Sequence, residues 1–178
     1  MKSVFAICGS TRSTSSNLSL LREIKNLASG IFEINIFTGI AEIPHFNPDL
    51  DNDHPPQEVI LFRKQLKAAD GILICTPEYA MGVPGTLKNV IDWTVSSCEF
   101  SHKPTALITA SSLGEKGHAS LLETLKIIEA DIPISMQQLI PHIKMKIGLN
   151  DEIIHQETKL NLINLIESFA QVMEISSV

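Results

Sequence analysis

Three uninterrupted apolar runs punctuate the chain: Val4 to Cys8, Gly71 to Thr76 and Thr105 to Ala110. Each is short and flanked by turn-forming residues, the pattern of a strand buried on both faces of a parallel sheet. Residues 31–37 alternate instead, with Phe32, Ile34 and Ile36 on one side, and read as an edge strand. Residues 133–140 hold the last strand. Between these runs the period changes to that of a helix. Ser16 or Asn17 caps a helix with Leu18, Leu21, Ile24 and Leu27/Ala28 on one face, and Gly30 ends it. Further helices are expected from about Pro56 to Ala69, Gly85 to about Cys98, about His118 to Ala130, and Ile153 to Met173.

Strands alternating with helices imply a parallel sheet covered on both faces. Ligands of such sheets bind beyond the carboxyl ends of the strands. That rule singles out three loops, 9–17, 76–84 and 110–118, because each follows an apolar strand. The fold expected from this alternation is α/β, a five-stranded parallel sheet with helices on both faces. With 178 residues and no repeat or linker, the chain reads as one domain spanning 1–178.

Composition changes this picture only by exclusion. Hydrophobic residues make up 44% of the chain, enough for a packed core. Fourteen basic against 20 acidic residues leave a net charge of −6, with no basic cluster for a nucleic acid or an anionic membrane. An anion bound here would be held locally. The start of the chain lacks the features of a signal peptide, and no apolar stretch has the ~18 residues of a membrane span. Cys8, Cys75 and Cys98 are odd in number and read as reduced core thiols, so a cytoplasmic protein is expected.

The first loop, Gly9-Ser-Thr-Arg-Ser-Thr-Ser-Ser-Asn17, is crowded with donors. Ser10, Arg12, Ser15, Ser16 and Asn17 converge where a helix begins, and the free N–H groups of a helix N-terminus suit a phosphate. The loop is neither GxxxxGK[ST] nor GxGxxG. From this loop alone, a polar turn capping a helix explains the residues equally well. In the second loop, Pro77, Glu78 and Tyr79 follow the strand directly, and Gly82, Pro84 and Gly85 stiffen the turn. Glu78 reads as a loop residue held by its backbone, with a general acid or base as the alternative. In the third, Ser111, Ser112, Gly114 and Gly117 let the backbone approach a flat ligand.

Together these motifs resemble the NADPH-dependent FMN reductase family of the flavodoxin-like superfamily. Gly9-Ser10-x-Arg12-x-x-Ser15-x-Asn17 is similar to its phosphate loop. Pro77-Glu78-Tyr79 followed by Gly82-x-Pro84-Gly85-x-Leu87-Lys88-Asn89-x-Ile91-Asp92-Trp93 resembles its second signature, and residues 43–51 a further loop. The resemblance covers roughly residues 3–150. The chain departs from the family where Gly117 is followed by His118 rather than by a second glycine.

The resemblance implies a flavodoxin-like three-layer sandwich with the sheet order 2-1-3-4-5, and an FMN cofactor with Ser10, Arg12, Ser15, Ser16 and Asn17 at its phosphate. Pro77, Glu78, Tyr79, Ser111 and Gly114 then lie along its ring. It implies NADPH or NADH as co-substrate and a small-molecule acceptor: a quinone, azo compound, chromate, ferric complex or free flavin. No protein side chain is required as a catalytic group. A homodimer or homotetramer is implied too, with Trp93 either in that contact or in the core. A flavodoxin-like electron carrier and a flavin-free relative are the alternative functions.

Two other patterns lead nowhere. Asp49, Asp51 and Asp53 resemble a calcium loop, but the sixth position is His54 and the twelfth Ile60, so a solvated acidic loop is expected. The six histidines show no metal-ligand spacing. His118 is the one that borders a ligand loop.

Overall fold

The computed structural model of the chain describes residues 1–148 and 150–176. Among them, five strands form one parallel sheet: β1 (Ser3–Cys8), β2 (Glu33–Phe37), β3 (Gly71–Thr76), β4 (Thr105–Ala110) and β5 (Gln137–Ile140), in the order β2-β1-β3-β4-β5. Helices α1 (Ser16–Leu27), α2 (Gln57–Ala68), α3 (Gly85–Asp92), α4 (Glu115–Ile127) and α5 (Gln156–Ile175) connect and follow them. This is the expected doubly wound topology.

The apolar runs of β1, β3 and β4 have a direct cause. Successive side chains point to opposite faces, and both faces are covered. Val4, Ala6 and Cys8 pack with Leu73, Cys75, Ala106 and Ile108 beneath α1 and α5. Phe5, Ile7, Ile72, Ile74 and Leu107 pack on the other side against α2, α3 and α4. A fully buried aliphatic side chain contributes about 1.5–3 kcal/mol of transfer free energy, so this two-sided burial dominates the fold's stability.

Three local expectations change. Helix α3 ends at Asp92 instead of running to Cys98. Its last carbonyls are taken by side chains: Arg63 Nε donates to Trp93 O at 2.7 Å, and Thr94 Oγ1 donates to Ile91 O at 2.7 Å. The following Thr-Val-Ser-Ser stretch has weak helix propensity. Helix α4 starts at Glu115, three residues early, because Gly114 adopts φ +103° and turns the chain into the helix. Residues 134–136 form a 3-10 turn, which leaves only Gln137–Ile140 as strand.

Three side chains also depart from expectation. Trp93 is fully buried, donating Nε1–H to Pro44 O at 2.8 Å and meeting Phe46 edge-on, as a core residue. Asp51 is no solvated acid. Its side chain is 11% exposed and accepts from Arg63 Nη2 at 2.7 Å. Burial alone would raise the Asp51 carboxyl, but hydrogen bonds from Arg63 and Ser96 and the guanidinium charge together hold it below the usual carboxylate range. Cys8 and Cys75 are buried as expected, whereas Cys98 is exposed on a turn at φ +59°.

Candidate functional site

The chain's winding direction reverses between β1 and β3, and a crevice opens beyond their carboxyl ends, where doubly wound sheets place ligands. The crevice is a cleft of about 450 Å³. Ser10, Arg12, Ser15, Ser16, Asn17, Pro77, Glu78, Tyr79 and Ser111 all line it. Nine of the ten expected site residues therefore share one cavity. Gly114 does not line it. A Cβ there would lie 2.9 Å from Leu139 Cδ1 and 3.2 Å from Thr109 Cγ2, so this glycine serves the turn into α4.

The first loop is built around the start of α1. The cap residue is Ser15, not Ser16 or Asn17, and its side chain does not turn back onto the helix. Nor does α1 carry an acid in its first turn, so the N-terminal N–H groups keep their positive character. Ser15 Oγ is buried without a hydrogen-bond partner; the weakly polar thiol of Cys8 lies near it, giving its own hydrogen to Ser10 O at 3.4 Å. A buried hydroxyl left so costs on the order of 1–3 kcal/mol until something binds it. Arg12 is exposed and makes no ion pair among the described residues.

Asn17 has a different job from its neighbours. Its Nδ2 donates to Ala110 O at 3.1 Å, and its Oδ1 accepts from Cys75 Sγ at 3.3 Å. The buried amide ties the first loop to the ends of β3 and β4. Burial raises the thiols of Cys8 and Cys75, so both stay protonated packing groups near neutral pH.

The second and third loops are fastened to each other. Glu78 Oε2 accepts from Gly117 N at 2.7 Å, a charge-assisted bond in the first turn of α4. Glu78 N donates to Ser111 Oγ at 3.2 Å. The side chain of Glu78 thus caps α4. Gly117 matters for close approach to protein, not to a ligand: a Cβ there would lie 2.8 Å from Gly82 O. Tyr79 and Gly82 exchange both backbone hydrogen bonds at 2.9 Å, closing a two-residue turn over Ala80 (φ +50°) and Met81 (φ +63°). Non-glycine residues rarely adopt such φ values, each at a cost of about 1 kcal/mol or more. The turn leaves Tyr79 half exposed on the cleft rim. His118 Nδ1 lies 2.9 Å from Thr109 Oγ1, and burial lowers its basicity, so the imidazole is neutral at physiological pH.

Two features escaped the sequence. Asn89 binds the 43–46 segment, accepting from Phe46 N at 2.7 Å and donating to Pro44 O at 3.0 Å. Residues 142–145 supply a fourth wall of the cleft. His142 N donates to Ser112 O and Ile143 N to Ser111 O, which seats a 3-10 turn, Ile143–Met145, beside the third loop. No periodicity or motif marks that segment. Among the described residues, no cluster of His, Cys, Asp and Glu could hold a metal, and no helix is long and apolar enough to cross a membrane.

In sum of chemistry, the cleft offers spare donors at one end and a rigid, partly apolar rim at the other, a fit for a flat molecule carrying an anionic tail. Known proteins resemble the chain in the same regions. The 2-hydroxy-1,4-benzoquinone reductase of Burkholderia sp. is 30% identical over 174 residues, which span 94% of this chain and 93% of that protein. The quinone reductase of Escherichia coli K12 is 37% identical over 119 residues, 65% of this chain and 63% of that protein. Among solved structures, the NAD(P)H:(acceptor) oxidoreductase FerB of Paracoccus denitrificans superposes with a TM-score of 0.87 at 26% identity, covering 98% of each chain. The model of one family, described as NADPH-dependent FMN reductase, matches residues 2–139. With that match, the cleft and the sheet order in agreement, the chain belongs to the NADPH-dependent FMN reductase family.

Proposed function

We propose that the protein is an NAD(P)H-dependent oxidoreductase that holds FMN in this cleft and reduces a small acceptor of the quinone or azo type. The observation that carries the reading is Ser15 Oγ, a buried donor with no hydrogen-bond partner on a loop that leaves a helix N-terminus free. A phosphate oxygen would satisfy it. The residues present fit a flavin nucleotide. Ser10, Arg12, Ser15 and Ser16 hold the phosphate end, with Asn17 bracing the loop from below. Pro77, Glu78, Tyr79 and Ser111 form the side along which the ring lies.

Bound FMN would supply the redox chemistry between the nicotinamide and the acceptor. The chain's own part is to bind and orient. The first loop supplies donors aimed at one charged group. The braced second loop keeps Tyr79 on the rim, where its ring can stack with planar molecules. No side chain here is assigned a proton transfer. We further propose a cytoplasmic protein, supported by its free thiols, that works as a homodimer or homotetramer without nucleic-acid or membrane partners.

The test is to purify the protein, add FMN, and record the visible spectrum anaerobically. Flavin absorbance that is bleached by NADPH and restored by a quinone supports the enzyme. Flavin that binds but is not bleached by NADPH or NADH points to an electron carrier. No binding at micromolar FMN overturns the reading. Light scattering of the same sample reads the oligomeric state.

A further inference from the structure

Two cations line the cleft, and they come from separate segments. Arg12 belongs to the loop itself. Lys144 belongs to the Ile143–Met145 turn, beyond residues 2–139 matched by the family model. Its place is fixed by the backbone. His142 N and Ile143 N donate to the third loop, Lys146 N donates to Ile143 O, and Ile154 N donates to Lys146 O. The buried Ile143 side chain anchors the turn in the core. Lys144 lines the cleft with Ser15 and Ser16, and it also borders the adjoining hollow that holds Thr14 and Arg22. Arg22 pairs with Asp151 at 3.6 Å. Lys144 makes no ion pair among the described residues.

We infer that Lys144 is a second cationic contact, besides Arg12, for the phosphate of the bound flavin nucleotide. The inference rests on the flavin reading above. A phosphate monoester carries about −1.5 to −2 charges at neutral pH. One guanidinium and a helix N-terminus, worth about half a charge, leave up to about half a charge of this unmatched. The protein's overall charge of −6 gives no help at long range. A lysine suits the remainder: its ammonium is a point charge on a flexible stem, able to meet a group already gripped by donors of fixed geometry. Being exposed, it acts through a field that salt weakens.

The experiment titrates the apoprotein with FMN and with riboflavin, which lacks the phosphate, following flavin fluorescence at low and high salt. Lys144→Ala is expected to weaken FMN about three- to tenfold at low salt, with the gap to wild type closing as salt rises. Riboflavin affinity is expected to stay unchanged, and Lys144→Arg to keep most of the FMN affinity. Equal FMN affinity in wild type and Lys144→Ala at low salt overturns the inference. So does a parallel loss for FMN and riboflavin, which would mark damage to the cleft wall. Wild-type protein that binds no FMN overturns the flavin reading itself, a result distinct from both.

Discussion

The helices that follow β1 and β4 both begin at the carboxyl edge of the sheet, and their N-termini are finished in opposite ways. Helix α4 has Glu115 in its first turn, and Glu78 accepts from its Gly117 N–H at 2.7 Å. Helix α1 has no acid in its first turn, no side-chain cap, and a buried serine hydroxyl without a hydrogen-bond partner beside it. Both ends carry the same surplus of N–H groups and the same positive dipole. At α4 the protein satisfies that surplus itself, and the result is a brace. At α1 it does not, and the donors stay free. A helix end braced within the fold should matter to stability, and a helix end left free should matter to binding.

The sharpest way to break this contrast is at α1. Arg12→Ala combined with Ser15→Ala removes a charged donor and a buried hydroxyl. It should weaken FMN by tenfold or more, on the scale of about 1.5–3 kcal/mol for a hydrogen bond to a charged group. The melting temperature of the apoprotein should not fall, because Ser15 Oγ makes no bond to lose. A clear loss of stability with intact FMN affinity would show the loop to be structural.

At α4 the reverse is expected. Gly117→Ala places a methyl group 2.8 Å from Gly82 O, and overpacking of this kind costs about 1–3 kcal/mol in urea unfolding. Glu78→Ala removes the cap at a similar cost of about 1–2 kcal/mol, and Glu78→Gln should recover part of it. An α4 that tolerates both changes without loss of stability would mean that the second and third loops are not braced through these atoms.

Tyr79→Ala is expected to leave stability within about 0.5 kcal/mol, as at other exposed positions, while changing the kinetics with NADPH or acceptor. A large drop in melting temperature with unchanged kinetics would make it a packing residue. The smallest effect concerns His118. Burial holds its folded-state pKa below the unfolded value of about 6.5. Its neutral form is therefore favoured in the fold, and its contribution is intact above pH 6.5. As pH falls below that value the unfolded chain takes up the proton first, and stability declines. Comparing melting temperatures of wild type and His118→Asn between pH 7 and 5 should show a shallower decline in the variant.

The contrast between the two helix ends also separates what could be read from the chain alone. The strand and helix alternation, the two-sided burial of β1, β3 and β4, and the three loops that meet at the cleft were legible, because alternation and burial depend on local periodicity; the sheet order followed from the family resemblance. The donor-rich composition of residues 10–17 was legible for the same reason. Which donors stay free was not. Asn17 and Ser15 stand two residues apart, yet one amide is engaged with Cys75 and Ala110 while the other side chain makes no hydrogen bond. That outcome depends on partners 58 and 93 residues away. Gly117 looked like a residue that lets a ligand approach, and it proved to make room for Gly82 O. Trp93 was open between interface and core until Pro44 O and Phe46 enclosed it. The fourth wall of the cleft, with Lys144, carried no signal at all, because a short 3-10 turn is placed by backbone bonds to a distant loop and not by its own sequence. Local periodicity and turn chemistry thus determined the alternating architecture and the edge at which the cleft opens; the long-range packing that satisfies some polar groups and leaves others free decided which donors face that cleft.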